Sequence, residues 1–470
     1  MVKFVPLTKH LMLKRLNSVF IFAALLFSLH LSELQAQQDM MLYNLTQIPQ
    51  SVYANPGIIP ETRMNIAIPA TNSLVQGGKS RFHTTEAFYR DDQNRLRLDG
   101  IEMINSFQER NRARMNGSLD WVHIGFEAGL NYIHFNVTEH GGFDFDFPRE
   151  AATLIKEVYQ ENYLGQVFDV RDTRFSFQHY REFGAGFARR FSSRFSMGAK
   201  VKYLYGVGTF STNENSFRVN TDITGSEGES LLGGGLTYSA QSAGLSNYQG
   251  GDENTGLLYG DGNTGFAADL GFNFEVSNFF TVSAAVINMG GVINWSNNVR
   301  NFEQPNREIN INLLELPEAF DEELPQTREI TDQIESLLDS LMGDDATEND
   351  ANFTSRIPTR VNLATSFNVS NALTFTVLNQ NVFIENFDNM HFLKVMMQVK
   401  LKRTFTAIAA YDLINNQTSQ SNLGLGFALN LGPFQMYALS EDVLFISNTN
   451  DRVTGSLRLG MNLTFGRDNL

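Results

Sequence analysis

The sequence predicts an all-β chain: a single transmembrane antiparallel β-barrel of about 14 strands. Three observations carry this. Apolar residues alternate with small or polar ones over stretches long enough to cross a membrane at a tilt; short polar turns alternate along the chain with long connections; and a leading export signal is followed by no run of about 18 apolar residues. That last point excludes a helical membrane protein. A sheet facing lipid cannot leave backbone edges unpaired, so strands of this kind must close on themselves.

Composition narrows the chemistry. The 470 residues include no cysteine, which removes disulfide frameworks, thiolate metal sites, cysteine nucleophiles and a lipid-anchored amino-terminal cysteine. Lysine plus arginine is 36 against 51 acidic residues, a net charge of -15, so no nucleic-acid partner is expected. Phe 39 and Tyr 14 against Trp 2, with Gly 37, is a strand-forming composition.

Residues 1–36 read as a signal peptide. Lys3, Lys9, Lys14 and Arg15 precede an apolar run from Leu16 to Leu31, and Leu34-Gln35-Ala36 supplies the cleavage region. The run is shorter than the roughly 20 residues a spanning helix needs. After cleavage the net charge is -18. Residues 37–61 form an amino-terminal periplasmic segment, and residues 62–470 form the barrel.

The strand pattern is clearest near the end. Leu423, Leu425, Phe427, Leu429 and Leu431 alternate with Asn422, Gly424, Gly426, Ala428 and Asn430; Leu457, Leu459, Met461, Leu463 and Phe465 alternate with Ser456, Arg458, Gly460, Asn462 and Thr464. In 392–402, Leu393, Val395, Met397, Val399 and Leu401 oppose Lys394, Gln398, Lys400 and Lys402. A soluble sandwich can alternate in this way too, but it has no reason to sort its loops. Turns at Ser192-Ser193, Ser277-Asn278, Ser370-Asn371, Arg403-Thr404 and Gly432-Pro433 belong to one rim, and the long connections to the other. Strands are expected at 62–75, 114–126, 130–138, 173–190, 194–210, 264–276, 279–289, 357–369, 372–382, 390–402, 405–412, 421–431, 434–440 and 452–465.

The long loops hold the compositional shifts. Between Asn310 and Ala351, within a long acidic extracellular loop at 300–355, thirteen acidic residues face Arg328 alone. Ile330, Ile334, Leu337, Leu338 and Leu341 fall there at helical spacing, between Pro325 and Gly343. Its functional reading is a lid that binds a surface or secretion partner; the plainer one is a solvated helix on the barrel mouth. No carboxylate spacing matches a calcium loop. Thr224–Gly265, with Gly233-Gly234-Gly235, reads as a mobile loop, and Glu150–Leu164 as a short helix presenting Leu154, Ile155, Val158 and Tyr159.

Few motifs suggest chemistry. Gly77-Gly78-Lys79-Ser80 has the tail of a phosphate loop, but Ser73 stands where the first glycine belongs, so it reads as a turn. His83, His123, His134, His140, His179 and His391 contain no i, i+4 pair, and neither a metal nor a cofactor is expected. His134 reads as an isolated strand histidine near the aqueous rim rather than as the base of a barrel phospholipase. No enzymatic activity is expected. Lys394, Lys400, Lys402 and Arg458 are placed in the lumen, either as a basic interior that favours anionic solutes or as partners of lumen carboxylates such as Glu275.

Gln37-Gln38-Asp39 with Ser51-Val52-Tyr53-Ala54-Asn55-Pro56-Gly57 resembles the amino-terminal signature of Bacteroidota outer-membrane barrels. There an Asn-Pro-Ala element opens the mature chain; here Gly57 replaces the alanine. The element is also similar to the hatch of FadL-like long-chain fatty acid transporters, which have fourteen strands. Gly184-Ala185-Gly186-Phe187, the stretch Gly198 to Gly206, Gly265 to Gly271, and Asn288-Met289-Gly290-Gly291-Val292-Ile293-Asn294-Trp295 resemble one Bacteroidota barrel family of unknown function.

Two readings follow from these resemblances. In one, the barrel passes a small hydrophobic solute through the outer membrane, with Asn55, Pro56 and Gly57 as the turn of a plug. In the other it is a non-conducting scaffold or accessory barrel for secretion, gliding or surface assembly, and the acidic loop recruits the partner. Outer-membrane lipid and lipopolysaccharide are the expected surroundings.

Overall fold

The computed structural model describes residues 40–79, 88–90, 96–98, 105–159, 167–171, 173–212, 216–220, 231–245, 262–312, 347–385, 387, 389–415, 423–443 and 454–467. The signal region, residues 37–39 and the helix expected at 330–341 lie outside them.

Fourteen antiparallel strands form a closed ring. In chain order they are β1 (Thr62–Ala67 and Ser73–Lys79), β2 (Arg110–Ala128), β3 (Asn131–Pro148), β4 (Arg174–Ser192), β5 (Phe195–Thr212), β6 (Asn263–Ser277) and β7 (Phe280–Trp295). They continue with β8 (Phe353–Arg356 and Thr359–Ser370), β9 (Leu373–Phe383), β10 (Met390–Leu401), β11 (Phe405–Asn415), β12 (Leu423–Leu431), β13 (Phe434–Ser440) and β14 (Thr454–Arg467). Each pairs with the next, and the ring closes where β1 pairs with β14 in the register Met64↔Phe465 and Ser73↔Leu459. On its other side β1 meets β2 through Met64↔Phe126. No edge remains for lipid to meet.

The period-two pattern sorts side chains as the sequence predicts. Along β14, Leu457, Leu459, Leu463 and Phe465 are exposed while Arg458, Gly460, Asn462 and Thr464 are buried in the interior. Around the ring the exposed large side chains include Phe135, Phe183, Phe187, Phe266, Phe274, Leu363, Phe367, Leu425 and Phe427. An outward apolar band of this size is stable only against lipid. The turns at 193–194, 278–279, 371–372, 402–404 and 432–433, joined by Gly129-Leu130, form one rim of short connections.

Departures from the expected elements have local causes. β1 is interrupted at 68–72, where Ala70 takes φ 58 and the backbone bonds to Asp120 and Met461. β2, β3 and β4 reach 19, 18 and 19 residues. At about 3.3 Å per residue such strands are some 60 Å long, so this wall rises above the hydrocarbon band. Expected loops become strands there. Leu231–Ala243, including Gly233-Gly234-Gly235, pairs antiparallel with Val299–Asn312, so part of both the glycine-rich and the acidic loop is a two-stranded ladder at the rim. Gly77, Gly78 and Lys79 lie in β1 opposite β14 and β2 rather than in a turn. The short helix is present as Arg149–Tyr159, with Ala152 packed against Phe107 and Phe147.

Candidate functional site: the filled lumen

Residues 40–61 lie inside the ring. Their sequence suits them to a short, irregular path: two 3-10 turns, Met40–Leu42 and Pro49–Tyr53, the second opened by a proline whose missing N–H would have no partner there. Met40, Met41, Leu42, Leu45 and Ile48 are buried against Leu378, Phe392, Met396 and Ile408 of β9–β11. Val52 packs on the opposite wall, against Tyr132 and Ala188. The segment therefore bridges the lumen and does not merely line one side.

Its polar groups are tied around the circumference. Gln50 exchanges hydrogen bonds with Asn462 of β14 at 2.8 and 3.0 Å; Gln398 of β10 donates to Gln47 Oε1 at 2.8 Å and Gln435 of β13 to Gln47 O at 2.7 Å. Asn44 donates to Ser366 of β8 at 2.6 Å. At the far end, Met41 N donates to Glu441 Oε1 at 2.9 Å.

The Asn55-Pro56-Gly57 turn lies close against the wall. Asn55 Oδ1 accepts from Gly57 N at 2.8 Å, folding the turn on itself, while Asn55 Nδ2 donates to Phe272 O at 3.1 Å and to Tyr43 Oη at 3.2 Å. Asn362 of β8 donates to Ala54 O at 3.0 Å, and Ser196 of β5 to Gly57 O at 2.7 Å. The turn fits because two strand glycines make room. A Cβ on Gly198 would lie 2.0 Å from Pro56 O, and one on Gly271 2.1 Å from Asn55 Oδ1. These are the glycines of two of the longer sequence motifs, and they serve as a seat for the turn.

Above the segment lies a cavity of about 280 Å³ with Tyr53 in its floor. Tyr53 Oη donates to Asp120 Oδ2 at 3.0 Å and lies 2.8 Å from His123 Nδ1. One hydroxyl proton serves Asp120, so the His123 bond requires the imidazole to be the donor. Burial, reinforced by the charges of Asp120 and Glu182, holds the Tyr53 phenol well above its ordinary value. Lys200 Nζ stands 4.7 Å over the Tyr53 ring and 2.6 Å from Glu182 Oε1. Lys202 pairs with Asp269 at 2.9 Å, reaches Glu182 at 3.4 Å and donates to Asn288 Oδ1 at 2.6 Å. Asn288 holds a left-handed φ of 60 in a bulge of β7, pinned by Asp269 and Pro358. The Asn288-Met289-Gly290-Gly291 motif thus completes a buried charge network across β4–β7.

Of the lysines and arginine expected in the lumen, three point there. Lys394 is 0% exposed and bridges Asp412, at 3.0 Å, and Glu441. Lys400 pairs with Glu61 at 2.6 Å, and Arg458 lines the cavity. Lys402 does not: it sits exposed in the turn after β10 with φ 57, because β10 ends one residue before it. Glu275 is likewise exposed, beside the turn, and backbone-bonded to Arg194; the pairing carboxylates are Asp412, Glu441 and Glu61. His134 is buried inside the ring rather than near the aqueous rim, stacked at 6.0 Å on His123. The expectations did not include Glu182, Lys200, Lys202 or Asp269. Their signal was parity: Lys200 and Lys202 alternate with Val201 and Tyr203, which are exposed.

The sequence matches the model of the family of unknown function DUF5723 over residues 56–441. The chain belongs to that family. The matched span starts at Pro56 of the seated turn and ends at Glu441, the carboxylate that receives Met41 N. No curated protein matches the chain. Among solved structures it is similar to the Ralstonia pickettii toluene transporter TbuX, with 10% identity over 89% of this chain and 94% of that one and a TM-score of 0.43. It is similar too to a Pseudomonas aeruginosa FadL homologue, at 11% identity over 89% and 94% with a TM-score of 0.42. The translocator domain of the autotransporter NalP from Neisseria meningitidis is 7% identical over 86% and 89%, with a TM-score of 0.31. Likenesses at this level say nothing about cargo.

Proposed function

We propose that this member of DUF5723 is a gated solute port of the outer membrane, held shut by its own residues 40–61. The observation that carries the reading is the arrangement of the lumen. A segment tied to strands on every side closes the periplasmic half, and a cavity directly above it rises from Tyr53 to the partly exposed Arg356 and Glu385 at the outer rim. A solute entering from outside would rest on Tyr53 and pass only when the segment shifts. The polar lining favours a hydrophilic solute over the hydrophobic one that the FadL-like resemblance implies.

The test is single-channel conductance of the mature protein in planar bilayers, against a variant lacking residues 37–60. A stepwise conductance in the deletion variant and a closed full-length chain are expected. If both stay silent while the deletion variant still shows heat-modifiable migration, the barrel is a non-conducting scaffold. Its secretion or surface partner would then be sought at the acidic loop, whose residues 313–346 lie outside the described structure.

A further inference from the structure

Two imidazoles lie behind the Tyr53 floor of the cavity, clamped by the segment that closes the barrel. His123 and His134 are 0% and 1% exposed, and their rings stack at 6.0 Å. Neither lines the cavity, whereas Tyr53, which meets the His123 ring edge-on at 5.3 Å, does. At the other end His134 stacks at 6.0 Å on Tyr132, and Tyr132 packs against Val52. Neighbouring residues of the segment, Val52 and Tyr53, thus stand at the two ends of one stack.

The stack has no place for a further proton. His123 donates from Nδ1 to Tyr53 Oη, so the neutral ring has a bare Nε2. That Nε2 is buried without a hydrogen-bond partner, and a proton there would make a charged N–H that meets neither acceptor nor water. In His134 neither ring nitrogen has a partner. Its ring fits because Gly186 of β4 is bare, a Cβ there falling 1.9 Å from Nε2. The charged groups around the pair are Asp120 on β2, Glu182 on β4, Lys200 and Lys202 on β5 and, toward Asp120, Arg458 on β14; Tyr437 on β13 faces Tyr53. The two carboxylates are aimed elsewhere. Asp120 accepts from Tyr53 and Thr138 at 3.0 and 2.7 Å, and Glu182 from Lys200 and Asn136 at 2.6 and 3.0 Å.

We propose that residues 40–61 are an acid-released latch: His123 and His134 take up a second proton only once Val52 and Tyr53 have left and water reaches the rings. This names the regulation of the port and rests on the reading that the segment can leave. Departure takes up protons, so the docked state keeps its full stability above about pH 6.5, the ordinary imidazole value, and loses it as the pH falls below.

The experiment is backbone hydrogen exchange of the intact mature protein in detergent, read by mass spectrometry over residues 41–55 at pH 7.5 and 5.5 and divided by the intrinsic rate. One imidazole freed on opening contributes roughly tenfold across that interval. Corrected exchange should therefore rise by at least about tenfold, while the amides of β9 and β12 stay protected. His123→Gln, whose amide can still donate to Tyr53, together with His134→Gln should abolish the rise. Asp120→Asn should keep the ratio between the two pH values, which separates the histidines from the carboxylate beside them. Should the double variant lose heat-modifiable migration, exchange of the imidazole C2 hydrogens in the unsubstituted protein decides: with the segment docked, neither ring should titrate near pH 6.5. Exchange independent of pH, a rise that survives in the double variant or vanishes in Asp120→Asn, or rings that titrate in the ordinary way while the segment is docked overturns the inference. The segment's departure is read directly, so a released segment without conductance would refute the port and leave the latch standing.

Discussion

Asn55 fixes the turn of the segment and joins it to the wall. It closes its own turn, caps Phe272 O and meets Tyr43, all from a position with no exposed surface. Asn55→Ala leaves those buried groups unpaired, at about 1–3 kcal/mol for the turn. The variant should keep its barrel but expose residues 40–61 to protease. Unchanged cleavage would mean that the seat and the apolar contacts suffice. Tyr43 gives a second reading of the same burial. Loss of water around its phenol pushes it up to about 12 from 10.0. The folded chain therefore favours the protonated form: this stabilisation is complete below pH 10 and is lost as pH rises to about 12. Tyr43→Phe should remove that part of the alkaline dependence, seen as a flatter fall in unfolding temperature across this window. Parallel curves for the two proteins would show that Tyr43 is hydrated.

Between elements, the Lys394 cluster ties β10 and β11 to the chain just after β13 and, through Glu441, to Met41. One cation serves two carboxylates there. Lys394→Met should lower the temperature of the heat-modifiable gel shift, because breaking a buried pair costs about 3–5 kcal/mol. Adding Glu441→Gln should recover part of the loss; a single variant as stable as the parent would refute the network. At this scale the sequence was legible where one face had to be greasy. β12, β13 and β14 fell within two residues of expectation because Leu457, Leu459 and their neighbours meet lipid. It was less legible where the wall leaves the membrane. Above the apolar band, Phe143, Phe145 and Phe147 alternate with Gly142, Asp144 and Asp146 in a strand that was expected to end at 138. The glycines of 231–243 look like a loop until a partner strand is supplied by residues 299–312. The turn residues Asn55, Pro56 and Gly57 could be singled out from their resemblance, but their seat could not. Nothing local in Gly198 or Gly271 says which backbone will approach it.

Over the whole molecule, the segment is a bridge between walls that are distant in sequence, with buried side chains on both ends. If solute passage requires it to move, tethering should stop passage. The chain has no cysteine, so Gln50→Cys with Asn462→Cys introduces the only two thiols. Bridging them with a cleavable thiol crosslinker should abolish solute uptake into liposomes, and cleaving the linker should restore it. Uptake that persists through the crosslink would mean that solute passes around a stationary segment.

The pairing of Gln50 with Asn462 also orders events during biogenesis. These residues are separated by 412 positions, and Asn462 lies on the strand that seals the ring. Residues 40–61 precede every strand of the ring in the chain, yet part of their binding surface does not exist until the last strand has arrived. Contacts so remote in the chain are slow to form. These residues must therefore wait, unsatisfied, until every strand is in place, and their docking reports that the cylinder is complete.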